Sequence, residues 1–379
     1  MEIFKSEIED IQTMDISENQ MTLLGNGIQY IHSIVENLYK KYDVSSYELH
    51  GIIQDPKSYV VVLRGGRYMY NYPRSGPRIK MGFIYLKMRI TYTNAEEEPV
   101  IYVDLIKANE NMLSGNEIIN ISKKIGEIIQ AKYISLDDGS GLENVCSGHV
   151  FSLTSLYILS IGVSWYNTKG FVSPFFEIER EHNHRLLSLN IVDFLIAQRE
   201  YTFKYLKDIQ GVEDINKEKM RRMHKFINDM NSFFDFFEKY DKKYPFFEDI
   251  GLFLTREMSV QEFFTRIKLF ILRVLPKNKT TIYNSLCSHL NWLFSIIDVE
   301  YIDGKKSEEE IQRQLSSLNP MVIAYDIVLI YNMKNPIIPT PLNYNIYHRK
   351  TARKRGSSGR SKKQKSTSKK ASTRRRTYG

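Results

Sequence analysis

The sequence predicts a mixed sheet with flanking helices, of the α+β or α/β class, followed by an all-helical region and a disordered C-terminal tail. Three observations predict it. Runs rich in Val, Ile and Tyr cluster between residues 58 and 104 and are bounded by Gly, Pro and Asn, the signature of strands. Strand-like and helix-like patterns then alternate across 100–171, which favours a parallel pair joined by a crossover helix. From 186 to 333 amphipathic segments follow one another, and a charged segment poor in apolar residues ends the chain.

The elements follow in order. "MTLLGNGIQYIHSIVENLYKKY" places Leu24, Ile28, Ile31, Val35 and Leu38 at alternating spacings of four and three, one stripe of a helix. "SYVVVLRGG", "MGFIYLKMRITYT" and "PVIYVDLIKA" read as strands, with "NYPRSGP" as a turn region. "GNEIINISKKIGEIIQAK" sets Ile118, Ile121, Ile125, Ile128 and Ile129 on one helical face. "YISLDDGS" follows as a short strand, and "FSLTSLYILSIGVSWYN" as a mostly apolar, buried helix that ends in a Gly-Phe turn. Beyond it, "MRRMHKFINDMNSFFDFFEKY", "SVQEFFTRIKLFILRVL" and "IYNSLCSHLNWLFSIIDV" are amphipathic, and Ser259 with Glu262 has the spacing of a capping box. "NPIIPTPLNYN" reads as an extended linker. The predicted parts are an N-terminal helical segment over 1–48, an α/β domain over 49–185, a helical region over 186–335, and a linker with a disordered basic tail over 336–379.

The 379 residues are 42% hydrophobic, enough for a substantial core. No run of 18 apolar residues occurs, so no membrane span is expected. The acidic N-terminus "MEIFKSEIED" lacks the apolar stretch of a secretory signal, so the protein is not expected to be secreted. Cys146 and Cys287 form no CxxC pair. They are expected as buried small hydrophobes in a reducing, intracellular compartment.

The net charge of +9 is unevenly placed. The last 31 residues hold 14 Lys or Arg and no Asp or Glu, which leaves 39 basic against 44 acidic residues, or −5, for positions 1–348. The cations are Arg349, Lys350, Arg353, Lys354, Arg355, Arg360, Lys362, Lys363, Lys365, Lys369, Lys370, Arg374, Arg375 and Arg376. Such a segment binds nucleic acid or another polyanion by releasing counterions, without reading sequence. An import receptor would recognise the same composition.

The strand–helix–strand–helix order ending in "WYNTKGF" resembles the second half of the GNAT superfamily of N-acetyltransferases, whose late helix often finishes in Tyr-x-x-x-Gly-Phe, here Tyr166, Gly170 and Phe171. The unit "YISLDDGS … LYILSIGVSWYNTKGF" is also similar to acetyltransferase-like domains in proteins of large DNA viruses. The resemblance covers roughly residues 50–175. It implies an acetyl-CoA site where two strands part, with Tyr166 as general acid and Asp104 or Glu110 as general base. It implies a diphosphate-binding segment at a helix N-terminus, over Met112, Leu113, Ser114, Gly115, Asn116 and Glu117. Here the sequence departs from the family, with one glycine in that segment and the acids Glu110 and Glu117 beside it. A viral relative would reside in the host cytoplasm or nucleus, or in the virion. The alternative is a non-catalytic structural or virion-associated protein that binds nucleic acid through its tail.

Other motifs read as structural. "LDDGSG" lacks the ligand spacing of a calcium loop and is expected as a strand end and turn. His182 and His184 beside Glu181 have no convincing further zinc ligands and are expected in a polar loop. No metal site is expected. Arg64, Arg67, Arg74 and Arg78, interleaved with Tyr68, Tyr70 and Tyr72, are expected as a solvated hairpin, with single-strand binding the less favoured reading.

Overall fold

The computed structural model describes residues 10–42, 47–69, 80–93, 98–106, 113–146, 149–203, 215–243, 254–273, 283–297, 299–302, 306–317 and 321–341. Residues up to Asn345 belong to one compact unit. Its main sheet has six strands: β1 (Tyr47–Asp55), β2 (Ser58–Met69), β3 (Lys80–Thr91), β4 (Val100–Ile106), β5 (Tyr133–Asp137) and β10 (Val328–Asn332), adjacent in that order. All neighbours are antiparallel except β4 and β5, which are parallel with Ile101 opposite Ile134. The crossover between them is α2 (Gly115–Ile128), as the alternation of patterns predicts.

One face of the sheet is covered by α2 and by α1 (Glu18–Tyr42). The predicted stripe of α1, from Leu24 to Leu38, is buried, and so are Ile118, Ile119, Ile121 and Ile125 of α2. They pack with Ile101, Val103, Ile134 and Leu136, the inward residues of alternating strands. Burial of these aliphatic side chains stabilises the layer by about 1.5–3 kcal/mol each in gross transfer energy.

A second core lies among α3 (Leu153–Ile161), α4 (Phe176–Leu187), α5 (Ile191–Thr202), α6 (Ile215–Lys243), α7 (Val260–Arg273) and α8 (Tyr283–Ser295). It is aromatic, with Phe151, Phe194, Phe233, Phe263 and Phe264 fully buried. Ser259 caps α7 through its hydroxyl, which accepts from the Glu262 amide at 3.2 Å, as its spacing predicts.

Four expectations are corrected. The region over 186–335 is not all helical. It contains β8 (Val299–Ile302) and β9 (Ile323–Asp326), a parallel pair flanking α9 (Glu308–Ser317), and β10, which completes the main sheet against β5. "MVIAYDIVLIYN" is a β-branched run too short and too apolar for its period to separate helix from strand. The helix expected over "FSLTSLYILSIGVSWYN" covers only Leu153–Ile161, because Gly162 turns to φ 83° and ends it; Phe151 and Ser152 belong to β7 (His149–Ser152), the partner of β6 (Gly141–Cys146). The loop expected around His182 and His184 is α4, whose buried face carries Phe176, Glu179, His182, Asn183 and Leu186.

The fourth correction concerns the cysteines. Cys146, at the end of β6, and Cys287, in α8, form a disulfide with Cα atoms 5.5 Å apart. That replaces two buried thiols, and it withdraws cysteine usage as an argument for a reducing compartment. A separation of 141 residues left nothing in the sequence to pair them.

Candidate functional site

The crevice outside the C-terminal ends of parallel strands is where open α/β sheets place ligands. Here β4 and β5 pair over four residues, ending at Val103 opposite Leu136. Beyond that level β4 continues against β3 to Ile106, and Asp137 of β5 pairs with Val328 of β10. The parallel ladder therefore stops at that level, one residue before β5 itself ends. A bulge sits at the same level, since Lys87 opposes Leu105 and Met88 opposes Val103, leaving Asp104 as the extra residue. Such a bulge re-aims a side chain and ends regular pairing.

Asp104 pairs with Lys87 at 3.3 Å and Arg89 at 4.0 Å. Both cations alternate with the buried Met88 and Ile90 on β3, so Asp104 lies on the sheet face away from α1 and α2. Tyr166 lies on the opposite face, within the core that α2 covers. The structure does not bring these two predicted catalytic residues together. Glu110 and Met112 lie outside the described residues, as do Arg74, Arg78, Tyr70, Tyr72 and the whole basic tail.

Tyr166 precedes a single 3-10 turn, Asn167–Lys169, closed by Gly170 at φ 85°. That left-handed conformation is one glycine adopts without the steric cost a Cβ brings. Asn167 fixes the turn by accepting from the Ser164 amide at 2.8 Å and donating to the Phe171 carbonyl at 2.9 Å. The Tyr166 ring packs edge-on to Trp165 and Phe171 and is only 7% exposed. Burial, and then the charge of Asp138, push its phenol well above the ordinary tyrosine range. It is fully protonated at neutral pH.

Asp138 is the residue sequence reasoning passed over. It follows β5 and is 1% exposed. Its Oδ1 accepts from the Ser140 hydroxyl at 2.7 Å, the Thr154 hydroxyl at 2.8 Å and the Ser140 amide at 3.3 Å. Its Oδ2 is buried without a hydrogen-bond partner. The Asp-x-Ser spacing of "DDGS" signals the local turn, but nothing local signals Thr154.

The predicted diphosphate segment is a closed helix N-terminus. Ser114 and Glu117 form a full capping box: the Ser114 hydroxyl accepts from the Glu117 amide at 3.2 Å, and the Glu117 carboxylate accepts from the Ser114 amide at 2.8 Å. Hydrogen bonding from Ser114, aided by Lys41 at 3.4 Å, holds the Glu117 carboxyl below its ordinary range, so it is ionised. Trp165 covers Gly115, where a Cβ would lie 3.0 Å from the indole ring. Leu113 is core, and Asn116 is exposed. A resident carboxylate and a covering indole at this helix end do not fit the diphosphate of coenzyme A, because like charge and occupied donors both oppose it.

A second buried polar cluster joins α4 to β9. The Asn183 amide donates to the Ala324 carbonyl at 2.7 Å and accepts from its N–H at 3.1 Å, and a His182 ring nitrogen meets the Val322 carbonyl at 2.7 Å. Glu179 accepts from the Ser173 hydroxyl. Burial foremost, with the Asp326 charge adding to it, pushes the Glu179 carboxyl up to about 8 against hydrogen bonds from Ser173 and the Asp326 backbone. Among the described residues no group of three or more His, Cys, Asp or Glu is placed to hold a metal ion. No described helix is long and apolar enough to cross a membrane.

Fold and site together define an α+β protein with a six-stranded mixed sheet in which β4 and β5 are the parallel pair. Comparison of the chain with protein-family models, with curated proteins and with solved structures finds no match.

Proposed function

We propose that this chain holds nucleic acid or another polyanion through its basic C-terminal segment, as a non-catalytic, structural or virion-associated protein with an acetyltransferase-like body. The observation that carries this reading is the concentration of 14 cations and no acids in the last 31 residues, behind a body with a balance of −5. That density of positive charge releases condensed counterions when it meets a polyanion. The closed N-terminus of α2 supports the non-catalytic part. With Glu117 in place, like charge and the occupied amides of Ser114 and Glu117 oppose a diphosphate there.

A second reading is favoured by one specific feature. The end of the parallel β4–β5 ladder, with a protonated Tyr166 nearby in the core and Asp138 beyond the end of β5, is compatible with an acetyl-CoA-dependent N-acetyltransferase. In that reading Tyr166 is the acid, and Asp104 or Glu110 is the base.

The test of the first reading is a salt titration of DNA binding. The full chain is expected to bind duplex DNA tightly at 50 mM salt and to lose at least a hundredfold in affinity by 200 mM. A chain ending at His348 is expected to lose that salt-dependent binding. Undiminished binding by the shortened chain would remove the tail from the mechanism.

A further inference from the structure

Lys123 of α2 and Lys169 of the 3-10 turn are neighbouring cations beside aromatic rings. Among the described residues no carboxylate pairs with either. Lys123 donates to the Lys169 carbonyl, and its ammonium lies 3.9 Å from the centre of the Tyr331 ring and 5.6 Å from that of Phe171. Lys169 lies 5.4 Å over the Trp165 ring. Both lysines and the rings of Trp165 and Tyr331 are half-buried. Among the described residues, the acids Glu127 and Glu117 are each engaged elsewhere. Glu127, whose charge acts on the Tyr331 phenol, is bonded to Lys124 at 2.8 Å, and Glu117 is held by its capping box and Lys41.

This arrangement is unusual for a body that is acidic on balance. Burial holds both ammonium groups below the ordinary lysine range, and for Lys123 the charge of Lys169 adds to the effect. A like-charge pair over aromatic faces is stabilised by a neighbouring anion. Half-exposed indole and phenol rings are surfaces on which a base stacks, whatever its identity. A single strand supplies both, phosphate and base one nucleotide apart, whereas a duplex keeps its bases in the stack.

We propose that Lys123, Lys169, Trp165 and Tyr331 form a folded contact for single-stranded nucleic acid, with the two ammonium groups on backbone phosphate and the rings on a base. It deepens the polyanion reading of the chain, on which its choice of ligand rests, but its residues belong to the body and not to the tail. The contact reads no sequence, since neither phosphate nor a ring face distinguishes one base from another.

The experiment uses the full-length chain carrying Trp292→Phe, so that Trp165 is the remaining tryptophan. A (dT)20 oligonucleotide is titrated in at several salt concentrations while Trp165 fluorescence is followed. Binding is expected to quench Trp165. In Lys123→Gln/Lys169→Gln the quench is expected to disappear and the salt slope to fall by about 1.4, the share of two phosphate contacts on a single strand. Lys123→Arg/Lys169→Arg keeps both charges and is expected to retain both signals, which separates charge from any loss of folding in the glutamine variant. Equal quench and equal slope in the parent and the glutamine variant would overturn the folded contact while leaving a steep slope from the tail. A shallow slope in both would sink the tail reading instead. No quench in the parent, or a quench lost in the arginine variant as it is in the glutamine variant, would overturn the contact and assign the pair to structure alone.

Discussion

At the scale of single residues, Asp138 and Glu179 are buried carboxyls held in different ways. Asp138 is solvated by hydroxyls. Its Oδ1 takes three donors, one of them from Thr154 across 16 residues of sequence. Thr154→Val is expected to cost about 1–3 kcal/mol, the cost of leaving a buried acceptor short of a donor, read as a lower urea midpoint with unchanged slope. Glu179 is kept protonated by burial, with its carboxyl pushed up to about 8. A raised carboxyl means that the folded state holds its proton after the unfolded chain has lost it. The stability this group contributes is therefore complete below the ordinary carboxylate range and is lost as pH rises to about 8. Glu179→Gln, which keeps the shape of the neutral form, is expected to flatten that loss. Urea midpoints at pH 5, 6.5 and 8 check it, and an unchanged pH dependence in the variant would contradict the assignment. Neither carboxylate was legible as special in the sequence. "LDDGSG" and "EIEREH" are ordinary polar strings, and the burial that distinguishes Asp138 and Glu179 comes from Thr154 and β9, far along the chain.

At the scale of elements, what the sequence displayed locally is present in the fold. The α1 stripe from Leu24 to Leu38 and the α2 face from Ile118 to Ile125 are buried where a 3.6-residue period puts them. The β4–α2–β5 crossover follows from patterns that change period within 40 residues. What the sequence hid is non-local. β10 begins 195 residues after β5 begins, counted from Tyr133 to Val328, and its apolar run alone does not distinguish strand from helix. The helix that ends at Ile161 did so at a glycine whose neighbours are all apolar, so the apolar pattern ran past the break. The disulfide is the extreme case. It fastens the β6–β7 hairpin to α8 across 141 residues, and a crosslink over so long a loop constrains the unfolded chain strongly. Cys146→Ser/Cys287→Ser is expected to lose about 2–5 kcal/mol of stability, measured by equilibrium denaturation beside the oxidised parent. A difference within error would mean that the aromatic core around Phe233 and Phe263 holds these elements without it.

At the scale of the whole molecule, charge and fold divide the work. The body carries a slight acidic excess, and the basic excess is concentrated after residue 348. The candidate site was half legible. "WYNTKGF" marked the turn at which Tyr166 sits, and the parallel pairing of β4 with β5 agrees with the strand order read from sequence. The companion residues were misplaced, because Asp104 turns to the cationic face of β3 and Glu117 closes the helix it was expected to open. Those outcomes depend on a bulge and on a capping box, and each is decided by contacts with another element. The non-catalytic part of the account rests on that closed helix end. Its most direct test is thermal unfolding of the full chain with acetyl-CoA at millimolar concentration. A ligand present at 100 times its dissociation constant adds about 2.7 kcal/mol, a shift of several degrees, whereas a body closed by Glu117 and Trp165 is expected to unfold at the same temperature with and without it. A reproducible upward shift that grows with acetyl-CoA concentration would contradict the account and restore the enzyme reading.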